Sequence, residues 1–246
     1  QGDVGLHIAK SLYGILRNFQ LPITNFQTNE LNEKLEKLGK EPISKIARFL
    51  GEAYAMGTKA YEEDLPAGRQ GENAKKEINE LNKKVYEKDP EIYPLYKKAK
   101  QWSLDYFETI YERLGTKFKR YYFESEAGEK GIEIVKENIG KVFKEDDGAI
   151  IFPEEVSNLH TRVFINSLGL PTYEAKELGL APTKYKDFPY DKSIIITGNE
   201  INEYFKVLLK ALSLIYPELA AKTKNIGHGM VKLTGGKMSR RTGNVI

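Results

Sequence analysis

Residues 235–241 read Gly-Gly-Lys-Met-Ser-Arg-Arg. A glycine pair followed at once by Lys237, Ser239, Arg240 and Arg241 puts three cations and a hydroxyl on a pliable piece of backbone. That combination suits a polyanion whose charge changes during a reaction, such as a nucleotide triphosphate. A lysine on a hinge can follow departing phosphates, and two arginines can add charge-assisted hydrogen bonds. A P-loop is excluded, because it needs Gly at position 231 and Ser or Thr at 238, where Val231 and Met238 stand. An ordinary basic turn at the surface also fits these seven residues taken alone. Metal chemistry has less to work with. There is no cysteine, which excludes disulfides and thiolate sites, and His7, His160 and His228 are too far apart in sequence to form a metal motif.

The elements that must position such a loop follow from periodicity. Residues 4–19 carry Leu6, Ala9, Leu12, Tyr13 and Leu16 at helical spacing, with Asp3 placed to cap the first turn. Thr28 or Asn29 can start the next helix. From there to about 115 the chain reads as charged helices, broken at "DLPAGRQGEN". One stripe runs through Ile43, Ile46, Ala47, Leu50, Ala53 and Tyr54. The last helix has a broad apolar face (Leu95, Trp102, Leu104, Phe107, Ile110, Tyr111 and Leu114) and a C-cap at Gly115.

After 116 the pattern changes. "KRYYFES", "GAIIF" and "TRVFIN" read as short strands, "KGIEIVKENIGKVF" and "PTYEAKELGLA" as helices, and "KSIIIT" as a buried strand. "GNEINEYFKVLLKALSLIY" is the strongest helix, with Ile201, Tyr204, Phe205, Leu208, Leu209 and Leu212 on one face. A strand running into Gly198 and then a helix is the βα unit of an open parallel sheet, whose ligands sit beyond the strands' carboxyl ends.

With 246 residues, 40% hydrophobic and 30% charged, the chain can bury a core in one large domain or two modest ones. A net charge of +3 gives no whole-molecule attraction to nucleic acid. The runs "KEINELNKK" and "YKKAK" interleave acids with bases and read as solvated helix faces, with tRNA contact as the other option. No apolar run approaches a membrane span and no signal peptide opens the chain, so a soluble, cytoplasmic setting with no membrane partner is expected. The chain lacks an initiator Met and stops within a motif at Ile246, which is expected of a piece cut from something longer.

The longer string "GHGMVKLTGGKMSRRTGNVI" resembles the mobile lysine–methionine–serine loop of class I aminoacyl-tRNA synthetases, and of arginyl-tRNA synthetases in particular. "GDVGLHIAK", "WSLDYFETIYERLGTKFKRYYFES", "DGAIIF" and "PTYEAKELGLA" resemble further segments of that family in the same order. The likeness covers nearly the whole chain and is loosest over residues 20–90.

It implies an α/β fold: a Rossmann-like parallel-sheet nucleotide-binding catalytic domain, incomplete here, with a helical insertion. Residues 1–20 would end the first half of that domain, 21–115 would form the insertion, and 116–246 the second half. The implied substrates and partners are L-arginine, ATP with Mg²⁺, and tRNA(Arg), acted on by an enzyme that is monomeric at full length. Lys237, Ser239, Arg240 and Arg241 would be catalytic. Gly198, Glu200, Gly229, Met230, Val231, Lys237 and Met238 would bind ATP. Tyr173 and Glu177 would read the substrate guanidinium, because a planar cation wants a paired acceptor. An amphipathic surface helix fits their spacing equally well. No metal-ligating residue is implied.

The chain departs from the family pattern at four places. Glu177 stands where the family has Asp, Ile201 where Gln is common, Val4 where Trp is usual, and Lys119 where Asp often follows Phe. "NIGHG" at 225–229 looks like the family's His-Ile-Gly-His signature but sits at the wrong place in the chain. His228 is therefore read as a packing residue or an edge of the adenine site, and the true signature is expected upstream of residue 1. His7 and His160 are read as structural or surface residues. On this reading residues 1–246 alone are expected to be inert. A synthetase-like enzyme for another amino acid and a non-catalytic RNA-binding paralogue are the alternatives.

Overall fold

The computed structural model describes residues 1–23, 28–62, 70–156 and 159–229. These residues fall into two compact units, Gly2–Tyr121 and Gln1 with 122–229.

The first unit is helical: α1 (Leu6–Asn18), α2 (Thr28–Gly39), α3 (Ile43–Glu62), α4 (Gln70–Tyr86) and α5 (Tyr93–Arg113). Its core draws one stripe from each helix, including Leu12 and Leu16, Leu31 and Leu35, Ile46 and Ala53, Ile78 and Leu81, and Leu95 and Trp102. α1 and α3 touch backbone to backbone. A Cβ added at Gly14 would lie 2.0 Å from the Ala53 carbonyl oxygen, and one at Gly57 would lie 2.0 Å from that of Lys10.

Two expectations change here. Asp3 does not cap α1. It is buried, and its carboxylate accepts from the Tyr96 hydroxyl at 3.0 Å and the Lys100 ammonium at 2.6 Å, so it ties the chain's start to α5. An acid this deep needs partners more than a helix end needs a cap. α5 also buries less than its sequence promised. Trp102 is covered, but Phe107 is exposed and Leu114 is 72% exposed. The aromatic side chains there pack on one another instead, Tyr111 edge-on to Phe118 at 4.7 Å. Gly115 does end α5. With φ of 65° it places its own N–H on the Glu112 carbonyl and the Thr116 N–H on that of Tyr111, which satisfies two orphan acceptors.

The second unit runs α6 (Glu124–Glu137), β1 (Lys144–Asp146), β2 (Ala149–Phe152), β3 (Arg162–Ile165), α7 (Tyr173–Asp187), β4 (Ser193–Gly198), α8 (Asn202–Ile215), α9 (Pro217–Lys222) and β5 (Thr223–His228). β1, β2 and β3 form an antiparallel sheet. β1 and β2 join through Asp147-Gly148, both at positive φ, the signature of a two-residue hairpin turn. β4 and β5 pair in parallel, with α8 in the crossover. The core gathers Phe143, Phe152 and Phe164 with Leu178, Phe205, Leu208 and Leu212.

"KRYYFES" is not a strand. Residues 119–123 are irregular and α6 begins at Glu124, whose N–H donates to the Gln1 carbonyl. α7 runs six residues past the expected end, through Pro182. "KSIIIT" is a strand but is not buried on both faces, since Ile194 is 57% exposed and Ile196 68%. β5 was not anticipated. Its "TKNIGH" lacks the apolar alternation of a strand and is held in place by pairing with β4.

Candidate functional site

α7 is held at its first turn by contacts to β3 and α6. The Thr172 hydroxyl donates to the Val163 carbonyl at 2.8 Å and its N–H to Phe164, which fastens the helix start to β3. The Lys176 ammonium meets the Glu124 carboxylate of α6 at 2.7 Å. α6 and α7 then pass so closely that a Cβ at Gly131 would lie 1.9 Å from the Ala175 carbonyl oxygen, and one at Gly179 would lie 2.2 Å from that of Ala127.

This fixed helix start carries Tyr173 and Glu177. Glu177 stands one turn on from Tyr173, and the phenol and the carboxylate act on one another electrostatically. Glu177 is half-buried, and burial pushes its carboxyl above the ordinary range, against the pull of Lys184 and of Tyr173. Burial followed by Glu177 pushes the Tyr173 phenol up. Lys184, two turns on, is lowered by burial and partly restored by Glu177, and its ammonium donates to the Ser193 hydroxyl at 3.0 Å. The first turn of α8 adds Tyr204, whose ring lies 4.9 Å from that of Tyr173. Burial also pushes the Tyr204 phenol up, with Glu177 the next cause. One carboxylate and two phenols thus gather where α7 and α8 start, a composition that suits a planar cation with several N–H donors.

Gly198 ends β4, and the parallel register pairs it with His228, so Gly198 and Gly229 lie at the carboxyl edge of one sheet. Glu200 follows in a single 3-10 turn (Asn199–Ile201) and is exposed. Asn225 bridges the two strands, its side-chain amide donating to the Ile195 carbonyl and to the Thr197 hydroxyl at 2.9 Å. His228 is exposed on β5 and is not a packing residue. Its ring nitrogen lies 2.8 Å from the Gly229 carbonyl oxygen. His7 and His160 are exposed. Ile201 is half-buried against the core.

The structure therefore brings Tyr173 and Glu177 together with Tyr204, and Gly198 beside Gly229. Met230, Val231, Lys237, Met238, Ser239, Arg240 and Arg241 lie outside the described residues. Sequence reasoning missed Asn225 and the polar role open to Tyr204. The first had no strand pattern to mark it, and the second was absorbed into an apolar helix stripe. Among the described residues, no group of three or more His, Asp or Glu could hold a metal ion, and no helix is long and apolar enough to cross a membrane.

The parallel pair of β4 and β5 with its helical crossover is the βα building unit of a Rossmann-like sheet. The family model for the catalytic domain of class I (R) tRNA synthetases matches residues 17–246, and the chain belongs to that family. The arginine–tRNA ligase of Borreliella afzelii is 30% identical over 253 residues, covering 99% of this chain and 40% of that protein. The ligase of Treponema pallidum subsp. pallidum is 30% identical over 213 residues, covering 85% and 35%. The chain thus spans well under half the length of these curated relatives. Among solved structures, the arginyl-tRNA synthetase of Thermus thermophilus matches with a TM-score of 0.61 at 18% identity, over 99% of this chain and 42% of that one. That of Plasmodium falciparum matches with 0.53 at 17% identity, over 70% and 31%. These two likenesses are of fold.

Proposed function

We propose that this chain is the central part of the catalytic domain of an arginine–tRNA ligase. Its α7 reads the arginine side chain, and the edge formed by Gly198, Glu200, Gly229, Met230 and Val231 holds ATP. The observation that carries the arginine reading is the half-buried Glu177 carboxylate, one turn from Tyr173 on a helix start anchored to β3. Burial of this acid is costly, the attraction of Lys184 offsets only part of that cost because the carboxyl is still raised, and an arriving guanidinium offsets more.

The arginine carboxylate attacks the α-phosphorus of ATP in line. The bond to the bridging oxygen breaks and pyrophosphate leaves, giving arginyl-adenylate. The terminal ribose hydroxyl of tRNA(Arg) then attacks the activated carbonyl and AMP leaves. No side chain becomes covalently attached; the work is positioning and charge stabilisation. Mg²⁺ arrives with the ATP phosphates as part of that substrate. Lys237, Ser239, Arg240 and Arg241 grip the leaving pyrophosphate, and Met238 anchors their loop.

The test is arginine-dependent ATP–pyrophosphate exchange by the full-length gene product, with tRNA present. Lys237→Ala is expected to slow exchange by on the order of 10²-fold with the melting temperature unchanged. A normal rate removes Lys237 from the reaction. A panel of amino acids in the same assay covers the second reading, a ligase for another amino acid. Ile201 favours that reading, because it offers no polar contact where one is expected.

A further inference from the structure

The hydroxyl of Tyr204 is buried and has no hydrogen-bond partner among the described residues, and the residue as a whole is 7% exposed. Buried polar atoms are rarely left unmatched, because an unmatched one gives up its hydration for nothing in return. The ring is also fixed. It packs at 4.9 Å against Tyr173 and at 5.1 Å, nearly perpendicular, against Phe205. Ile201, the last residue of the 3-10 turn before α8, brings no polar atom.

We propose that Tyr204 is a further specificity-determining residue of the amino-acid pocket, its hydroxyl oxygen accepting a hydrogen bond from the guanidinium of bound arginine. This rests on the reading of Tyr173 and Glu177 as the guanidinium site. A guanidinium carries five N–H donors, and a carboxylate takes at most two in a bidentate pair, so three still need acceptors. A phenol oxygen fixed beside the carboxylate supplies one. The unmatched state of the hydroxyl is then a property of the pocket without substrate, and arginine removes it.

The experiment compares Tyr204→Phe and Glu177→Gln in the full-length gene product by ATP–pyrophosphate exchange, with arginine and ATP varied separately, alongside thermal melts. Tyr204→Phe removes one oxygen and keeps the ring. It is expected to raise the arginine KM roughly tenfold or more, the loss of one hydrogen bond to a charged group, with the ATP KM unmoved. The effect should fall on KM more than on kcat, and the melting temperature should hold or rise. An unchanged arginine KM, an equal rise in both KM values, or a clear drop in melting temperature overturns the proposal; the last would mean that the hydroxyl has a structural partner. If Glu177→Gln raises the arginine KM and Tyr204→Phe does not, only the role of Tyr204 fails. If Glu177→Gln leaves it unchanged, the guanidinium site itself is misplaced.

Discussion

Gly131→Ala should damage both the fold and the pocket, although Ala is the better helix former by about 1 kcal/mol. The added Cβ would sit 1.9 Å from the Ala175 carbonyl oxygen and 2.6 Å from its carbon. Both atoms belong to the backbone of α7, so no rotamer change relieves the clash. Cβ atoms essentially never approach such an oxygen closer than 3.0 Å, so α7 must retreat by about 1 Å. Overpacking of this kind costs about 1–3 kcal/mol and occasionally more, and here the close approach recurs at Gly179. A net loss of about 2 kcal/mol, at roughly 2–4 °C per kcal/mol for a chain of this size, predicts a fall of about 4–8 °C in thermal melts. Ala175 lies between Tyr173 and Glu177, so the same retreat should raise the arginine KM. Gly51→Ala in α3 is the matched control. Nothing lies within 4 Å of its added Cβ, and it should gain about 0.5–1 kcal/mol. If Gly131→Ala melts at or above the unsubstituted chain, or if the two variants move in the same direction, backbone contact between α6 and α7 is not what positions the pocket.

Glu177→Gln carries opposite signs for binding and stability. Burial raises the Glu177 pKa in the folded state, so the fold binds more protons there than the unfolded chain, and stability falls as pH rises through that window. At neutral pH the amide should therefore melt no lower than the acid while binding arginine less well. The unsubstituted enzyme's arginine KM should climb as pH drops through the raised pKa, above the ordinary 4.5, and the Glu177→Gln KM should be high and flat across the same range. Asp3→Ala should cost about 2–3 kcal/mol in thermal melts. That is less than the 3–5 kcal/mol of a fully buried pair, because the Lys100 side chain remains about a quarter exposed. A loss under 0.5 kcal/mol would show that the contacts with Tyr96 and Lys100 do not stabilise the helical unit.

The helical unit was legible because its information is local. Apolar residues three and four apart mark α1 to α5, and Gly115 ends α5 by the left-handed geometry that glycine tolerates. The same locality misled at the edges. Asp3 has the chemistry of a cap, and only the fold shows that it is buried beside α5. Phe107, Ile110 and Leu114 continue a helical stripe beyond the point where other helices cover it. In the second unit β4 and α8 could be read, since a β-branched run into glycine and a strong amphipathic pattern are each self-sufficient. β5 could not, because a polar segment becomes a strand only when a partner offers its hydrogen bonds. The Asp147-Gly148 hairpin carries its signal locally too, in a dipeptide that tolerates positive φ at both positions.

The candidate site divides along the same line. Tyr173 and Glu177 lie one turn apart, so their proximity follows from helical geometry before any tertiary contact forms. Tyr204 is 27 positions beyond Glu177, and on its own helix it looks like the neighbouring Phe205 and Leu208: a large ring on the buried face. What separates it from them is a single oxygen. Periodicity weighs side chains by their apolar bulk, so a phenol and a phenyl ring count alike in it. The difference matters only when the hydroxyl's surroundings are known, and those come from α7, a different segment of the chain. A buried stripe residue with an unmatched polar atom is thus where a pattern of packing and a pattern of binding diverge, and an assay on Tyr204→Phe measures that divergence directly.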